Sequence, residues 1–473
     1  MRVNKLLNTN FKNNHLVSLI TDNSKECINN AVFVMHKINY KYLDEAIKKG
    51  AKTIISSDHL EVKEDVNLLI VKDTYKVIAD ALYKMNEKIL KKYKFIGITG
   101  TNGKTTSSTL LYRYLRTLNY NVLLFGSNGI YMDDLCFETQ NTTPSISKIY
   151  SFIISNYKKN LFSKFSYKNN YVIIECSSQG IRNNRVKNIS FDVVGFTNIT
   201  HDHLDYHKSV SDYVYSKALI FQYLKKSSKV LINSDDEHND LLSSICPVEP
   251  ISYGIKGNYS YIIKESSLQN NFYLILNNDQ ELELTTSLIG DFQIKNILLV
   301  YAILKELNIN TEKFRHFIKE TDNIPGRINY FEKDNKHFIV DYAHTSPAIK
   351  TVVEFVKKQN FRKIYIVIGF GGDREKEKRY EMGKYLTENT NLVVFTEDNN
   401  RTESFESIMN DVQKDIINTN YLVIPNRYEA IKHVIKLMEP NTILLLIGKG
   451  IEKTKVNKEF LTDEMMINKV IYD

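Results

Sequence analysis

Short apolar runs alternate with helically patterned segments along most of the chain. Residues 95–99, Phe-Ile-Gly-Ile-Thr, read as a buried strand, and residues 171–176, 191–196 and 230–233 have the same character. A helical stretch is predicted over 107–118. After Pro325-Gly326-Arg327 the alternation resumes. Strands are predicted at 338–341, 363–368, 392–396 and 442–447, and helices at 349–357, 378–386, 406–417 and 428–438. Strands alternating with helices predict an α/β fold with parallel sheets and crossover helices, in which ligands gather beyond the carboxyl ends of the strands. Before residue 92 the apolar runs are shorter, at 31–34 and 51–55, with helical periodicity at 43–49 and 79–92. Lys88, Lys91, Lys92 and Lys94 close that section and read as a wetted helix end ahead of a phosphate-binding patch. Residues 156–170 are rich in Lys and Asn and are predicted to be a surface loop.

The chain has 473 residues, enough for two to four domains at roughly 100–200 residues each. Hydrophobic residues make up 42% and charged residues 25%, which excludes wholesale disorder and supplies a large core. The net charge of +8 permits anionic partners without specifying nucleic acid, and no nucleic-acid partner is expected. Cys27, Cys136, Cys176 and Cys246 form no C-x-x-C pair. Neither a zinc site nor a disulfide framework is therefore expected, and a reducing cytoplasm is the natural setting. The N-terminus has no sustained apolar stretch, and the longest apolar run, 443–447, is far below the ~18 residues of a membrane span, so neither secretion nor a span is expected.

The sharpest local signal is Gly100-Thr101-Asn102-Gly103-Lys104-Thr105-Thr106, set between the 95–99 strand and the following helix. Glycines let backbone N–H groups approach phosphate oxygens, and a helix N-terminus adds its positive dipole end. Lys104 would neutralise the terminal phosphates and Thr105 would complete a Mg²⁺ shell. The spacing is shorter than a standard Walker A, which would place a glycine where Ile98 stands. A glycine turn that happens to precede a Lys-Thr helix is the competing reading; the strand, the turn and the doubled threonine favour nucleotide binding. Glu175 stands near the end of the 171–176 strand, where a parallel sheet would present it beside the phosphates, although a lone acid at a strand end is usually just solvated. His201, His203 and His207 follow the 191–196 strand and suggest a metal or phosphate site, with a spacing unlike the common zinc motif. Lys217, in Tyr-Ser-Lys-Ala, reads from its surroundings as an ordinary surface lysine.

The segment Thr99-Gly-Thr-Asn-Gly-Lys-Thr-Thr106 resembles the ATP loop of the Mur ligases, ATP-dependent amide-forming enzymes of peptidoglycan precursor synthesis. The resemblance is strong from Gly97 to Glu452 and weaker before. It implies a uridine-binding N-terminal domain over 1–91, a central P-loop ATPase-type parallel-sheet domain over 92–327, and a C-terminal Rossmann-like, amino-acid-binding domain over 328–473. Gly100, Thr101, Asn102, Gly103, Lys104, Thr105 and Thr106 are then ATP-binding. Glu175-Cys-Ser-Ser178 resembles the segment whose glutamate binds Mg²⁺. Asn198-Ile-Thr-His201-Asp-His203 resembles the signature in which the histidine after Asp binds a second Mg²⁺, which falls on His203. Imidazole is an unusual Mg²⁺ ligand, so that assignment rests on resemblance. The lysine that the family carbamylates with CO₂, making an anionic oxygen ligand for the second ion, falls on Lys217. Lys104, Glu175, His203 and Lys217 are thus the implied catalytic residues, with Thr105, Glu175, His203 and Lys217 around two Mg²⁺ ions. Gly290-Asp-Phe-Gln-Ile-Lys-Asn296 resembles the adenine segment, with Gln293 where Asn is usual and Asn296 on the base. Ile324-Pro-Gly-Arg327 resembles the hinge into the last domain, with Arg327 on ATP phosphates; Asp341 and Tyr342 open a segment that reaches across to the nucleotide.

Asn141-Thr142-Thr143-Pro144 resembles the segment that holds the UDP-N-acetylmuramoyl dipeptide in MurE-type ligases, which add the third amino acid; Ser177, Ser178 and Arg185 fit the same site. Ser24-Lys25 resembles a Ser-Arg pair near the uridine, with Lys keeping the charge and losing the bidentate fork. Gly369-Phe-Gly-Gly-Asp-Arg374 with Lys378-Arg379 resembles the amino-acid site. Asp398-Asn399-Asn400-Arg401 resembles the Asp-Asn-Pro-Arg of enzymes that add meso-diaminopimelate, whose second carboxylate needs a cation such as the two-donor clamp of Arg401. Gly448-Lys-Gly-Ile-Glu452 resembles Gly-Lys-Gly-His-Glu, whose glutamate meets the distal ammonium. Asn400, Ile451, Gln179 and Gly180 replace the usual Pro, His, His and Ala. The implied enzyme is an ADP-forming ligase that adds a diamino acid, with diaminopimelate ahead, to UDP-N-acetylmuramoyl-L-alanyl-D-glutamate through an acyl phosphate, as a cytoplasmic monomer. The alternatives are a same-fold ligase with lysine, ornithine or another acceptor, such as a folylpolyglutamate synthetase or a specialised-metabolism paralogue, and a non-catalytic ATP-binding subunit.

Overall fold

The computed structural model describes residues 1–161, 169–203, 206–268, 271–277, 280–456 and 459–472. Three large sheets organise them. The first is four-stranded and parallel, ordered Ile20–Thr21, Ala31–Met35, Ala51–Ser56 and Asn67–Ile70, so both short apolar runs near the N-terminus are strands. Helices Tyr40–Lys48 and Thr74–Leu90 pack on it. Each starts at a side-chain cap: Asn39 accepts from the Lys41 amide and Asp73 from the Lys76 amide.

The central sheet has eleven strands. Its middle is parallel, in the spatial order Ile251–Tyr253, Leu224–Asn233, Phe191–Phe196, Lys94–Thr99, Asn170–Cys176 and Asn121–Gly126. Side chains alternate between its two faces. Ile96 and Ile98 pack with helices Lys104–Thr117 and Gln293–Glu306, while Phe95 packs with helices Thr74–Leu90 and Ile146–Leu161. Burial on both faces explains why these strands read as continuous apolar runs. Antiparallel strands flank this core: Gly129–Met132 and Leu135–Phe137 at one edge, Tyr259–Ser266, Asn271–Asn277 and Gln280–Thr286 at the other. The second group buries only alternate side chains, such as Tyr259, Tyr261, Tyr273 and Ile275, and a search for continuous apolar runs passes over it.

Two expectations are corrected here. Helix Lys104–Thr117 begins at Lys104 rather than 107, because Gly103, with φ 84°, turns the chain straight into it. The predicted 156–170 loop is helical through Leu161. Asn156 is buried there, its amide oxygen taking bonds from the Tyr93 hydroxyl and the Asn121 amide. Residues 162–168 of that prediction lie outside the described residues, and Asn170 opens a strand.

The third sheet has six strands, ordered Asn329–Lys333, Lys336–Asp341, Thr442–Ile447, Lys363–Gly369, Leu392–Thr396 and Tyr421–Val423, with only the first antiparallel. Helices Ser346–Lys357, Glu377–Asn389 and Phe405–Gln413 cover one face, and Arg427–Leu437 and Asp463–Tyr472 the other. A buried ion pair joins the last two helices: Arg427 donates from Nε and Nη2 to Asp463 at 2.7 and 2.6 Å. Nη2 also reaches the Ile447 carbonyl at 3.3 Å, where a strand runs into Gly448. Among the described residues, no helix is long and apolar enough to cross a membrane.

Candidate functional site

The phosphate-loop residues lie between the carboxyl end of strand Lys94–Thr99 and helix Lys104–Thr117. A Cβ on Gly103 would lie 2.3 Å from Asn296 Oδ1, so glycine is what lets the loop seat against helix Gln293–Glu306. Lys104 Nζ curls back to the Gly100 and Thr101 carbonyls at 2.9 and 2.7 Å. Lys217 Nζ reaches the same Gly100 carbonyl at 2.8 Å and sits 4.4 Å over the Tyr213 ring. Lys217 is only 1% exposed, on helix Val210–Ala218. Burial, reinforced by the charge of Lys104, holds its ammonium well below the ordinary lysine range, against the pull of Asp202. Lys104 is lowered chiefly by its own burial, with Glu175 opposing.

Glu175 is buried beneath the loop. It accepts bonds from the hydroxyls of Thr105 and Ser108, both at 3.0 Å, and Ser127 at 3.2 Å. Arg327 Nη2 donates to Thr105 Oγ1 at 3.1 Å, and its guanidinium lies 4.6 Å over the Tyr342 ring. Asp341 accepts from the Ile328 and Ala343 amides at 2.8 and 2.7 Å; burial raises its pKa, and its carboxylate fixes the hinge backbone.

His203 Nε2 faces Asp202 at 3.4 Å, and its buried Nδ1 has no partner among the described residues. Burial pushes the imidazole down to about 4. Asp202 opposes its own burial with His203, His344 and Lys378 nearby, and is held at about 2. Lys378 lies 3.5 Å from Asp202 and 3.4 Å from Glu375, which takes His201 Nε2 at 3.0 Å. These four side chains bridge the second and third sheets. Sequence reasoning placed His201 in a histidine cluster and Lys378 in the acceptor segment but did not foresee the bridge, because charges so far apart in the chain leave no local pattern.

The residues implied to bind substrates gather around two adjoining cavities. The first, of about 350 Å³, is lined on one side by Thr101, Asn102, Gly103, Lys104, Thr105 and Thr106. Asn141, Thr142, Ser177, Ser178 and Arg185 line it on another, and Arg379, Asp398, Asn399, Arg401, Gly448 and Glu452 on a third, with His203 and Lys217 between. The second, of about 340 Å³, is lined by Asn102, Gly103, Asn296, Arg327, Asp341 and Tyr342 among others. Thr143 and Glu175 stand just behind the first wall. The Thr143 hydroxyl bonds the Glu175 carbonyl at 2.7 Å, and its own carbonyl takes Arg185 Nη1 at 2.9 Å. Ser24 lines neither cavity; its hydroxyl bonds Glu45, on helix Tyr40–Lys48, at 2.6 Å.

The departures from the family pattern have local partners. A Cβ on Gly180 would lie 2.6 Å from Thr143 Cβ, so glycine admits the threonine. Gln293 Oε1 accepts from the Asn296 amide at 3.0 Å. The Asn400 side chain donates to Glu397 at 3.2 Å, and Ile451 packs against Gly326 of the hinge. Arg379 is almost wholly buried and bonded to Glu403 and Asp411, at 2.7 to 2.8 Å, and to the Gly371 carbonyl, so in this state it braces the acceptor loops. Arg401 donates to the Gly372 carbonyl, Asp398 pairs with Lys449 at 3.4 Å, and Glu452 accepts from the Tyr342 hydroxyl at 3.0 Å.

The oxygen set of Thr105 and Glu175 suits Mg²⁺. Among the described residues no group of three or more His, Cys, Asp and Glu could hold a metal by itself, so phosphate oxygens and water would supply the remaining ligands. Near His203 the donors are its unpartnered imidazole nitrogen, the Asp202 carboxylate and the Lys217 amine; a carbamate on Lys217 would replace the amine with anionic oxygen.

The sequence matches the Mur ligase middle domain over residues 98–304 and the Mur ligase, glutamate ligase domain over 326–450. It is 34% identical over 421 residues to the UDP-N-acetylmuramoyl-L-alanyl-D-glutamate–2,6-diaminopimelate ligase of Fusobacterium nucleatum, covering 87% of this chain and 84% of that one. It is 27% identical over 451 residues to the corresponding L-lysine ligase of Staphylococcus epidermidis, covering 92% and 89%. A solved structure of a 2,6-diaminopimelate ligase of this kind superposes with a TM-score of 0.67 at 22% identity, covering 100% of this chain and 99% of that one.

Proposed function

The chain belongs to the Mur ligase family, and from that premise we propose that it joins 2,6-diaminopimelate to UDP-N-acetylmuramoyl-L-alanyl-D-glutamate, consuming ATP and releasing ADP and phosphate. One observation carries this reading: the phosphate loop, the Asn141–Arg185 wall and the Asp398–Glu452 wall face a single cavity, where a phosphoryl donor, a carboxylate and an amine can meet. The uridine end is assigned to residues 1–91, the ATP centre to 92–327 and the acceptor domain to 328–473, with the cytoplasm as the compartment.

Lys104 and the loop amides neutralise the ATP phosphates while the D-glutamyl carboxylate attacks the γ-phosphorus, breaking the bond to ADP and forming an acyl phosphate. Thr105 and Glu175 would hold one Mg²⁺, and His203 with a carbamylated Lys217 a second, and the bound metal would supply charge stabilisation for phosphoryl transfer. Arg327 ties the hinge to Thr105, so closure of the last domain and completion of the phosphate site are linked. The acceptor amine then attacks the acyl carbon; the C–N bond forms, the C–O bond to phosphate breaks, and the amine gives up a proton. Asn296 lines the second cavity and would take the adenine. For Lys217, a neutral amine adds to CO₂ and loses a proton to become the carbamate; its burial and its contact with Gly100 support this.

The acceptor follows from Arg401 beside Asp398 and Asn399, since a guanidinium matches the second carboxylate of diaminopimelate. Diaminopimelate, lysine and ornithine are compared at fixed ATP and nucleotide. Diaminopimelate is expected to have the highest kcat/KM, and Arg401→Ala to raise its KM by about tenfold or more while leaving the ATP KM unchanged. Preference for lysine, unaffected by Arg401→Ala, would assign the acceptor to the other branch; no turnover with any of the three would overturn the ligase reading.

A further inference from the structure

One histidine that the mechanism leaves unused stands directly behind a substrate wall. The His207 side chain is fully buried, and its Nε2 lies 2.9 Å from the Ser178 hydroxyl, which lines the first cavity. Its Nδ1 faces the Ser216 hydroxyl at 3.3 Å, Arg182 Nη1 at 3.4 Å and Asp212 at 3.5 Å. The Tyr206 and Tyr213 rings flank it at 4.9 and 5.2 Å. Burial is the largest influence on its pKa and lowers it, which favours neutral imidazole with one donor and one acceptor nitrogen.

The neighbours decide which nitrogen carries the hydrogen. Arg182 can only donate. The Asp212 carboxylate is already engaged by Arg182 at 2.8 Å and by the Lys208 amide at 3.2 Å, and it is the most distant of the three groups around Nδ1. The lone pair therefore belongs on Nδ1, facing Ser216 and Arg182, and the hydrogen on Nε2, facing Ser178. With its oxygen accepting from His207, Ser178 keeps its own proton free. The opposite tautomer would use that proton up and leave Ser178 only as an acceptor towards the cavity.

We propose that His207 is a positioning residue for the acyl donor: its Nε2–H holds Ser178 Oγ so that the serine hydroxyl donates into the cavity, to a carboxylate or carbonyl oxygen of the bound peptide. The inference rests on the reading that this cavity takes the UDP-N-acetylmuramoyl dipeptide. The same ring touches Ser216 and Tyr213 on the helix that carries Lys217, so one imidazole ties the substrate wall to the lysine at the phosphate loop. Because Nε2 carries a hydrogen, it cannot draw a proton from Ser178, and the serine is a hydrogen-bond donor rather than a nucleophile.

The test is calorimetric binding of UDP-N-acetylmuramoyl-L-alanyl-D-glutamate to the full chain, with KM values for that nucleotide and for ATP. Ser178→Ala and His207→Ala are each expected to weaken nucleotide binding about tenfold, leaving the ATP KM unchanged. The double variant is expected to be no weaker than either single one, since both remove the same contact. His207→Gln, whose amide N–H can reach Ser178, is expected to recover most of the affinity, and with Ser178→Ala it carries the test if His207→Ala does not fold. Additive losses, unchanged affinity in the single variants, or covalent labelling of Ser178 by a fluorophosphonate would overturn the proposal. Wild-type protein that fails to bind the nucleotide would remove the substrate reading itself, a result distinct from variants that bind as well as wild type.

Discussion

Lys217→Ala is expected to lower turnover by about a hundredfold to a thousandfold, with partial recovery on adding short-chain carboxylic acids. The side chain is 1% exposed, shares the Gly100 carbonyl with Lys104, and is stripped of proton affinity chiefly by burial. Two cationic lysines on one carbonyl repel each other. That repulsion and burial favour a neutral Lys217 amine, whose carbamylation would place an anion beside Lys104. Alanine would remove that anion, and acetate or propionate entering the space would restore an oxygen ligand. Lys217→Arg should stay inactive, because a guanidinium keeps its charge and does not carbamylate. Kinetics of the three proteins with and without propionate check this. Undiminished activity in Lys217→Ala, without rescue, would remove the carbamate from the mechanism.

Asp463→Ala is expected to destabilise the C-terminal body by about 3–5 kcal/mol, because it strands a buried guanidinium. Arg427 and Asp463 are 1% and 0% exposed as side chains, and Arg427 also holds the Ile447 carbonyl at the start of the Gly448–Glu452 turn. The loss should therefore show in urea unfolding and also as a higher KM for the amino acid. Replacing both residues together with apolar ones of similar size should restore much of the stability without restoring the acceptor KM. A destabilisation below about 1 kcal/mol would show that the pair is dispensable.

Legibility in the sequence followed the range of the interactions. The phosphate loop could be read because strand, glycines, lysine and helix are contiguous, and most strands of the parallel core could be read because burial on both faces makes them continuous apolar runs. The antiparallel strands from Tyr259 to Thr286 bury alternate residues only, and the helix through Asn156 hides its polar face in a network with Tyr93 and Asn121. Lys217 looks like any surface lysine in its own segment. Its burial comes from strands and loops far away in the chain, and family resemblance alone singled it out. The Asp202–Lys378–Glu375–His201 bridge and the His207–Ser178 contact also join elements far apart in the chain, so their residues were visible in the sequence and their pairings were not.

The most direct test follows oxygen from the acyl donor. UDP-N-acetylmuramoyl-L-alanyl-D-glutamate labelled with ¹⁸O in the D-glutamyl carboxylate is turned over with ATP, Mg²⁺ and diaminopimelate, and the released phosphate is analysed by mass. An acyl-phosphate route transfers one labelled oxygen to each phosphate, in step with tripeptide formation. Unlabelled phosphate alongside tripeptide, or phosphate release that does not depend on the nucleotide and the amino acid, would contradict it.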